Sequence, residues 1–253
     1  MTTISVVNQK GGVGKTTTTA SIGAALVEKG QRVLLVDLDP QGGLTFSLGI
    51  DPEDLEITVG EVLLGTRKAE EAIVVTDDGI HLLPSNITVT QAEEGLVSRT
   101  GREQRLRVAL DKVAGDYDFI LLDCPPTLGV LTVGALSASD KVLIPLQAET
   151  LAHRGVGQLL ETVGDVQQFI NSDLTVWGVL PTMFDGRTNH ARAVVDAISS
   201  TYELPIIEPA IPKSIRFAEA PAIGRSILGT QAKHKGAEAY RAVAAQLLDG
   251  SPS

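Results

Sequence analysis

Two lysines bracket a run of glycines near the start of the chain, in Val6-Val7-Asn8-Gln9-Lys10-Gly11-Gly12-Val13-Gly14-Lys15-Thr16-Thr17. The run lies between an apolar segment that reads as a strand and an amphipathic segment that reads as a helix. That setting suits an anion. Glycines let the backbone of Gly11, Gly12, Val13 and Gly14 curl so that successive N–H groups face one phosphate, and the helix N-terminus at Thr16 and Thr17 adds the positive end of its dipole. Lys15 can bridge a β- and a γ-phosphate while the Thr16 hydroxyl meets Mg²⁺, so the residues point to a nucleoside triphosphate with magnesium. The strict pattern G-x-x-x-x-G-K-[ST] is not met, because Gln9 takes its first position. What fits is K-G-G-x-G-K-T, with Lys10 as a second cation ahead of the glycines. A turn that merely joined strand to helix would need neither the Gly-Lys-Thr ending nor this setting.

Two acidic sites fall where strands end, the edge at which an open α/β sheet collects its ligands. Phe119-Ile120-Leu121-Leu122-Asp123 is four apolar residues and then a carboxylate, which can hold Mg²⁺ through water. The plainer reading of Asp123 is a polar strand end before the Pro125-Pro126 turn. In Val33-Leu34-Leu35-Val36-Asp37-Leu38-Asp39-Pro40-Gln41-Gly42, strand periodicity puts Asp37 and Asp39 on one face. Two converging carboxylates need a cation nearby, Mg²⁺ or Lys15, so Asp39 joins Thr16 and Asp123 as a candidate metal neighbour. Asp39-Pro40 also reads as the start of a turn, which is compatible with orienting water.

These residues require elements to hold them. Short runs of Val, Ile and Leu alternate with amphipathic stretches, the pattern of a parallel sheet covered by helices on both faces. The predicted strands are Thr3 to Val7, Arg32 to Asp37, His81 to Pro84, Phe119 to Asp123, Lys141 to Pro145 and Val176 to Leu180, with a short addition at Ile206 to Ile207. The predicted helices are Thr16 to Lys29, Arg102 to Val113, Thr150 to Ile170, Arg192 to Thr201 and Gly236 to Leu248. Gly30 and Gly115 stand where left-handed C-cap residues would. Leu48 to Val89 reads as short helices and a hairpin-like excursion at one sheet edge.

The 253 residues, 43% of them hydrophobic and 21% charged, suffice for one α/β domain with a large core. A single cysteine, Cys124, excludes a disulfide framework, a Cys-based zinc site, a CxxC redox pair and an iron-sulfur cluster within the chain. No apolar run approaches a membrane span and no signal peptide is evident, so a cytoplasmic protein without membrane contact is expected. The net charge of −10 repels polyanions, and any nucleic-acid contact must use a local basic patch. Ile211 to Arg241 supplies one, with Lys213, Arg216, Arg225, Lys233, Lys235 and Arg241 against Glu219 and Glu238, a net +4. Arg187 and Arg192 lie just upstream. A set of solvated helix-face charges would look the same. His153, His190 and His234 lack metal-ligand spacing and read as solvent-facing.

Lys10-Gly11-Gly12-Val13-Gly14-Lys15-Thr16, Asp37-Leu38-Asp39-Pro40-Gln41-Gly42, Leu122-Asp123-Cys124-Pro125-Pro126 and Pro181-Thr182-Met183-Phe184-Asp185 together resemble the ParA/Soj group of deviant-Walker ATPases, which partition chromosomes and plasmids. The resemblance runs from Ile4 to about Leu248, giving a domain over residues 1–248 and a frayed tail over 249–253. It implies a single-domain P-loop NTPase fold, ATP and Mg²⁺ as cofactors, and an ATP-dependent homodimer in which Lys10 reaches the partner's nucleotide. It implies further that Asp39 positions the attacking water and that adenine sits near Met183 and Pro212. Arg187 and Arg216 match positions associated with nonspecific DNA, which with Lys213 form the expected DNA contacts on the nucleoid, and a ParB-like protein is the implied activator. Slow turnover is expected, since two lysines and one carboxylate provide no strong general base. Gly43 departs from the family pattern, which often has Asn there. Related ATPases fit less well: an iron protein or iron-sulfur scaffold needs more cysteines, a tyrosine kinase needs a terminal tyrosine cluster, and a MinD-like ATPase needs a basic amphipathic end where Gln246 to Ser253 has no Lys or Arg. A MinD-like or cargo-positioning ATPase acting on another surface is the alternative.

Overall fold

Strands buried on both faces need no alternating polar positions, and the apolar runs accordingly form the centre of a parallel sheet. The computed structural model describes residues 1–149 and 152–250. Its strands are β1 (Thr2–Val6), β2 (Val33–Asp37), β3 (Val74–Val75), β4 (His81–Leu83), β5 (Phe119–Asp123), β6 (Lys141–Gln147) and β7 (Thr175–Thr182), in the order β3-β4-β2-β5-β1-β6-β7. All neighbours run parallel except β3, which returns antiparallel along β4 through a turn where Gly79 takes φ +72. This pair is the excursion expected at the sheet edge. Every residue of β2 and β5 is buried, and their register sets Asp37 beside Asp123.

Two cores flank the sheet. One joins α1 (Lys15–Glu28), α2 (Gly43–Ser47), α11 (Ile227–Thr230) and α12 (Lys235–Asp249) to Ile4, Val6, Leu35 and Leu121. The other collects α3 (Val59–Leu64), α5 (Val89–Val97), α6 (Arg105–Leu110), α7 (Val130–Ser137), α8 (Ala152–Phe169) and α9 (Asn189–Tyr202) over Leu34, Val36, Ile120 and Leu122. The short α4 (Ala69–Ala72) and α10 (Arg216–Glu219) complete the chain. The alternation of residues between the two cores along β2 and β5 follows directly from the pleat.

Several expectations need correction. The helix read over Arg102 to Val113 is a 3₁₀ turn at Arg102–Gln104 followed by the shorter α6, and a second 3₁₀ turn takes Ala114–Asp116. Gly115 lies inside that turn and caps nothing in a left-handed conformation, whereas Gly30 does so at φ +79. Helices α2 and α7 escaped the sequence reading because one is brief and the other apolar around its circumference, while α5, with a stripe of Val89, Ala92 and Leu96, was passed over. Asp249 belongs to α12 rather than to a tail, and Gly250 caps that helix at φ +75. The first two residues of the helix read from Thr150, and the last three of the frayed tail, lie outside the described residues. Ile206 forms a single parallel bridge to Val179, so the suggested extra strand exists only as one pairing.

The bridge depends on Gly178. A register shift opposite Val142 and Leu143 lets Gly178 approach the 205–207 segment, where an added Cβ would lie 2.7 Å from the Pro205 carbonyl oxygen and 2.8 Å from Ile207 Cδ1. Backbone on one side leaves little room to yield. Gly178→Ala is therefore expected to destabilise the fold by about 1–3 kcal/mol in denaturant melts, and an unchanged midpoint would show that this edge repacks freely.

Candidate nucleotide site

The glycine loop is held from three sides before it can hold anything. Asn8, at the end of β1, donates from Nδ2 to the Pro145 carbonyl at 2.8 Å and accepts the Lys10 amide at 3.0 Å. Thr182, the last residue of β7, donates its hydroxyl to the Val13 carbonyl at 2.7 Å. Gly12 and Gly14 take φ +75 and +87, conformations that side chains resist. Gly14 is the N-cap of α1 and no side chain caps that helix, so its first amides are free for an anion. Lys15 is buried with its ammonium on the Lys10 carbonyl at 3.2 Å. Burial lowers the pKa of Lys15, while Asp123, Cys124 and Asp39 oppose that shift.

Lys10 behaves differently. Its ammonium pairs with Glu149 at the surface, with side-chain exposures of 41% and 50%. The two lysines thus point to different places: Lys15 lies within the loop and Lys10 is turned out of it.

Behind the loop, Thr16 donates its hydroxyl to Asp123 Oδ2 at 2.8 Å. Asp37, fully buried beside Asp123, accepts the Thr45 amide at 2.9 Å and hydroxyl at 2.8 Å and the Asp39 amide at 3.1 Å. Burial pushes the Asp37 carboxyl up to about 6 against those hydrogen bonds, and burial together with the Asp37 charge raises Asp123 well above the usual range. A carboxylate and a hydroxyl next to a phosphate cradle fit Mg²⁺, which binds through one or two carboxylates plus phosphate oxygens rather than an all-protein cage. No cluster of three acidic, His or Cys ligands is found among the described residues, in keeping with that mode. Asp39 accepts the Gln41 amide at 3.0 Å, and its carbonyl takes the Ser85 hydroxyl at 2.7 Å. Its charge acts on both Lys15 and Asp123, which puts it beside the phosphate cradle.

Next to the loop opens a mostly apolar cavity of about 470 Å³, which Gly14 and Thr17 share with Met183, Pro212, Phe217 and Tyr240. Its place and lining suit a purine base. Met183 adopts φ +48, a rare conformation for a side-chain-bearing residue, as the chain leaves β7.

Comparison with known proteins agrees with this arrangement. The AAA domain family matches residues 1–176. The chain is 44% identical to the sporulation initiation inhibitor protein Soj of Bacillus subtilis over 238 residues, covering 94% of each chain. It is 42% identical to the chromosome partitioning protein ParA of Myxococcus xanthus, covering 97% of this chain and 87% of that one. The chain belongs to the ParA/Soj family of P-loop ATPases. Among solved structures, one named cobyrinic acid a,c-diamide synthase, from Mycobacterium smegmatis with a bound ATP analog and magnesium, is 53% identical at a TM-score of 0.89, covering 98% of this chain and 94% of that one.

The residues that the family resemblance assigned to DNA are brought together by tertiary structure. Phe184 bridges to Pro212, which sets the loop bearing Arg187 beside the segment bearing Lys213 and Arg216. Arg187 is paired with Asp185 at 2.9 Å and Arg216 with Glu219 at 2.7 Å. Exposed pairs of this kind contribute little and exchange readily. Lys213 has no ion-pair partner among the described residues and also lines the base cavity. The broader basic patch shrinks: Arg225 ties back to Asp78 and Arg241 to Glu28, where they fasten α11 and α12 rather than face a polyanion. His234 caps α12 through Nδ1 and meets Ser214, and His153 stacks on Tyr202, so both have structural partners instead of the solvent-facing role expected. The roles of Asn8, Ser85, Thr182 and Glu149 were missed because each acts on a residue far away in sequence, and that of Thr45 because the turn that carries it back to Asp37 was not read. Asn8, a polar residue directly after an apolar strand, and Thr182, inside a quoted motif, left a local signal.

The acid pair has a measurable consequence. Both carboxyls titrate above their unfolded values, so the folded nucleotide-free protein holds extra protons, and its stability falls as pH rises from about 4 through about 6. Asp123→Asn cannot ionise and keeps an acceptor for Thr16. It is expected to raise the melting temperature of the nucleotide-free protein at the alkaline end of that range and to flatten the slope. A lower melting temperature would show that Lys15 already balances the pair.

Proposed function

We propose that the chain is an ATP-dependent positioning switch that binds ATP with Mg²⁺, closes into a sandwich dimer, holds nonspecific DNA of the nucleoid in that form, and releases it when a ParB-like partner stimulates hydrolysis. The observation that carries this reading is the division of labour between the lysines. Lys15 is buried under the loop where it can take the β- and γ-phosphates, whereas Lys10 rests on Glu149 at the surface and is available to a second copy. Thr16 and Asp123 would hold Mg²⁺, which when bound would supply charge stabilisation at the phosphates. The amides of Gly11 to Lys15 orient the phosphates, and Met183, Pro212 and Phe217 enclose the base. Asp39 sits on the loop after β2, braced by Asp37 and Ser85, where its carboxylate can orient water. The carboxylate beside it, Asp37, is buried and spends its oxygens on Thr45 and the Asp39 amide, which favours slow hydrolysis.

The amide-forming enzyme for which the Mycobacterium smegmatis structure is named suggests a second reading. A thiol nucleophile for such chemistry would have to be Cys124, which is buried, with burial pushing its thiol far up. An inert thiol of this kind argues against it. No helix among the described residues is long and apolar enough to cross a membrane.

Lys15→Ala is expected to abolish ATP binding in equilibrium dialysis, while Lys10→Ala retains ATP but stays a monomer and hydrolyses none. An ATP-dependent dimer of the Lys10 variant in light scattering would refute the cross-subunit role.

Asp39→Ala should leave the ATP dimer intact and bound to DNA without sequence preference, with affinity falling steeply in salt. Adding Arg187→Ala and Arg216→Ala in that background is expected to lower affinity for every sequence alike and reduce the salt slope. An unchanged slope would assign these arginines to Asp185 and Glu219 alone.

A further inference from the structure

A second recess, which shares no lining residue with the nucleotide site, opens between α3, α4 and α6 with a volume of about 640 Å³. Its size is that of a small-molecule site. Four cations line it: Arg67 and Lys68, which lead from the α3 cap into α4, Arg105 at the start of α6, and Lys112 in the turn that follows α6. Glu71 is the single carboxylate in the lining. It reaches Arg67 only loosely, at 3.9 Å, and its other oxygen accepts the Lys68 amide.

The two lysines are unpaired. Lys68 and Lys112 have no carboxylate within ion-pairing distance among the described residues. Arg105 is anchored by Nη1 alone, to the Leu63 and Leu64 carbonyls at 3.2 and 3.4 Å, and its Nε is buried without an acceptor. Like charges gathered in one recess repel. That cost is offset by one anion with several oxygens. Arginine can grip such a group with two parallel bonds, and the lysines add point charges.

We propose that this recess is a binding site for a small polyphosphate anion. The cations converge on a hollow floored by Val62, Leu63 and Ala109, which a compact chain of phosphates can enter. The backbone of a duplex, stiff and charged along its whole length, fits a ridge or open face better.

The test follows backbone amide signals of the full chain as sodium tripolyphosphate is added. Shifts are expected in two sets, one at residues 11–17 and one at residues 65–68 and 100–112. The double variant Lys68→Gln, Lys112→Gln, both surface residues, should weaken the second set at least about tenfold and leave the first within about twofold. Arg105→Lys, which keeps the charge and loses the fork, should weaken the second set as well. An ATP arm distinguishes a nucleotide from an inorganic polyphosphate as the source, according to which binds the second set more tightly. No second set at millimolar ligand, or a second set indifferent to the double variant, would overturn the proposal. So would a short DNA duplex that displaces the tripolyphosphate with the same dependence on Lys68 and Lys112. Loss of the first set alone would count against the phosphate-loop reading and leave this one standing.

Discussion

The structure is organised around two carboxylates that ought not to be neighbours. Asp37 and Asp123 end adjacent parallel strands in register, and both are buried. A fold does not place like charges side by side in a low-dielectric edge unless something positive completes them. Among the described residues Lys15 is the one lysine buried there, and its own pKa is lowered by the same desolvation. The protein therefore stores part of its electrostatic cost at the site, and a divalent cation with its phosphates is the charge arrangement that relieves it.

From that pair the constraint spreads outward. Asp37 turns its oxygens to Thr45 in α2 and to the Asp39 amide, so it acts as a pillar for the loop from residue 38 to residue 42 rather than as a ligand. Ser85 fastens the same loop to the end of β4. α2 follows at once, and Gly49 after it packs against Gly224, where an added Cβ on Gly224 would lie 2.7 Å from the Gly49 Cα. Backbone thus meets backbone between the segment after Asp39 and the segment after Arg216. Neither glycine leaves side-chain slack at this contact.

Charge is distributed by the same economy. The chain is strongly acidic, yet its arginines are mostly spoken for: Arg32 by Asp118, Arg225 by Asp78, Arg241 by Glu28. The Arg32 guanidinium holds Asp118 down to about 2, the shift of a carboxylate gripped by two donors. Among the described residues Lys10 is the only lysine in an ion pair, so the fold ties down arginines and leaves its other lysines unpaired. Local sequence charge overstated the C-terminal patch and overlooked the recess on the opposite core.

The sequence by itself determined what short-range physics can encode. The glycines and Lys15-Thr16 announced a phosphate cradle because strand, turn and helix there are contiguous, and the apolar runs announced a parallel sheet because burial on both faces removes alternation. Asp123 and Asp39 were legible as strand-end carboxylates for the same reason. Tertiary structure decided everything that depends on the order of strands. β5 inserts between β1 and β2, which brings Asp123 to Asp37 across 86 residues, and β7 lies beside β6, which lets Thr182 grip Val13. It also decided which cations are free, since Glu28 and Asp78 reach Arg241 and Arg225 only after α1 and the β3–β4 turn are packed. Side chains meet according to position in space, and position in space follows from the crossover of strands, which no local pattern of residues records.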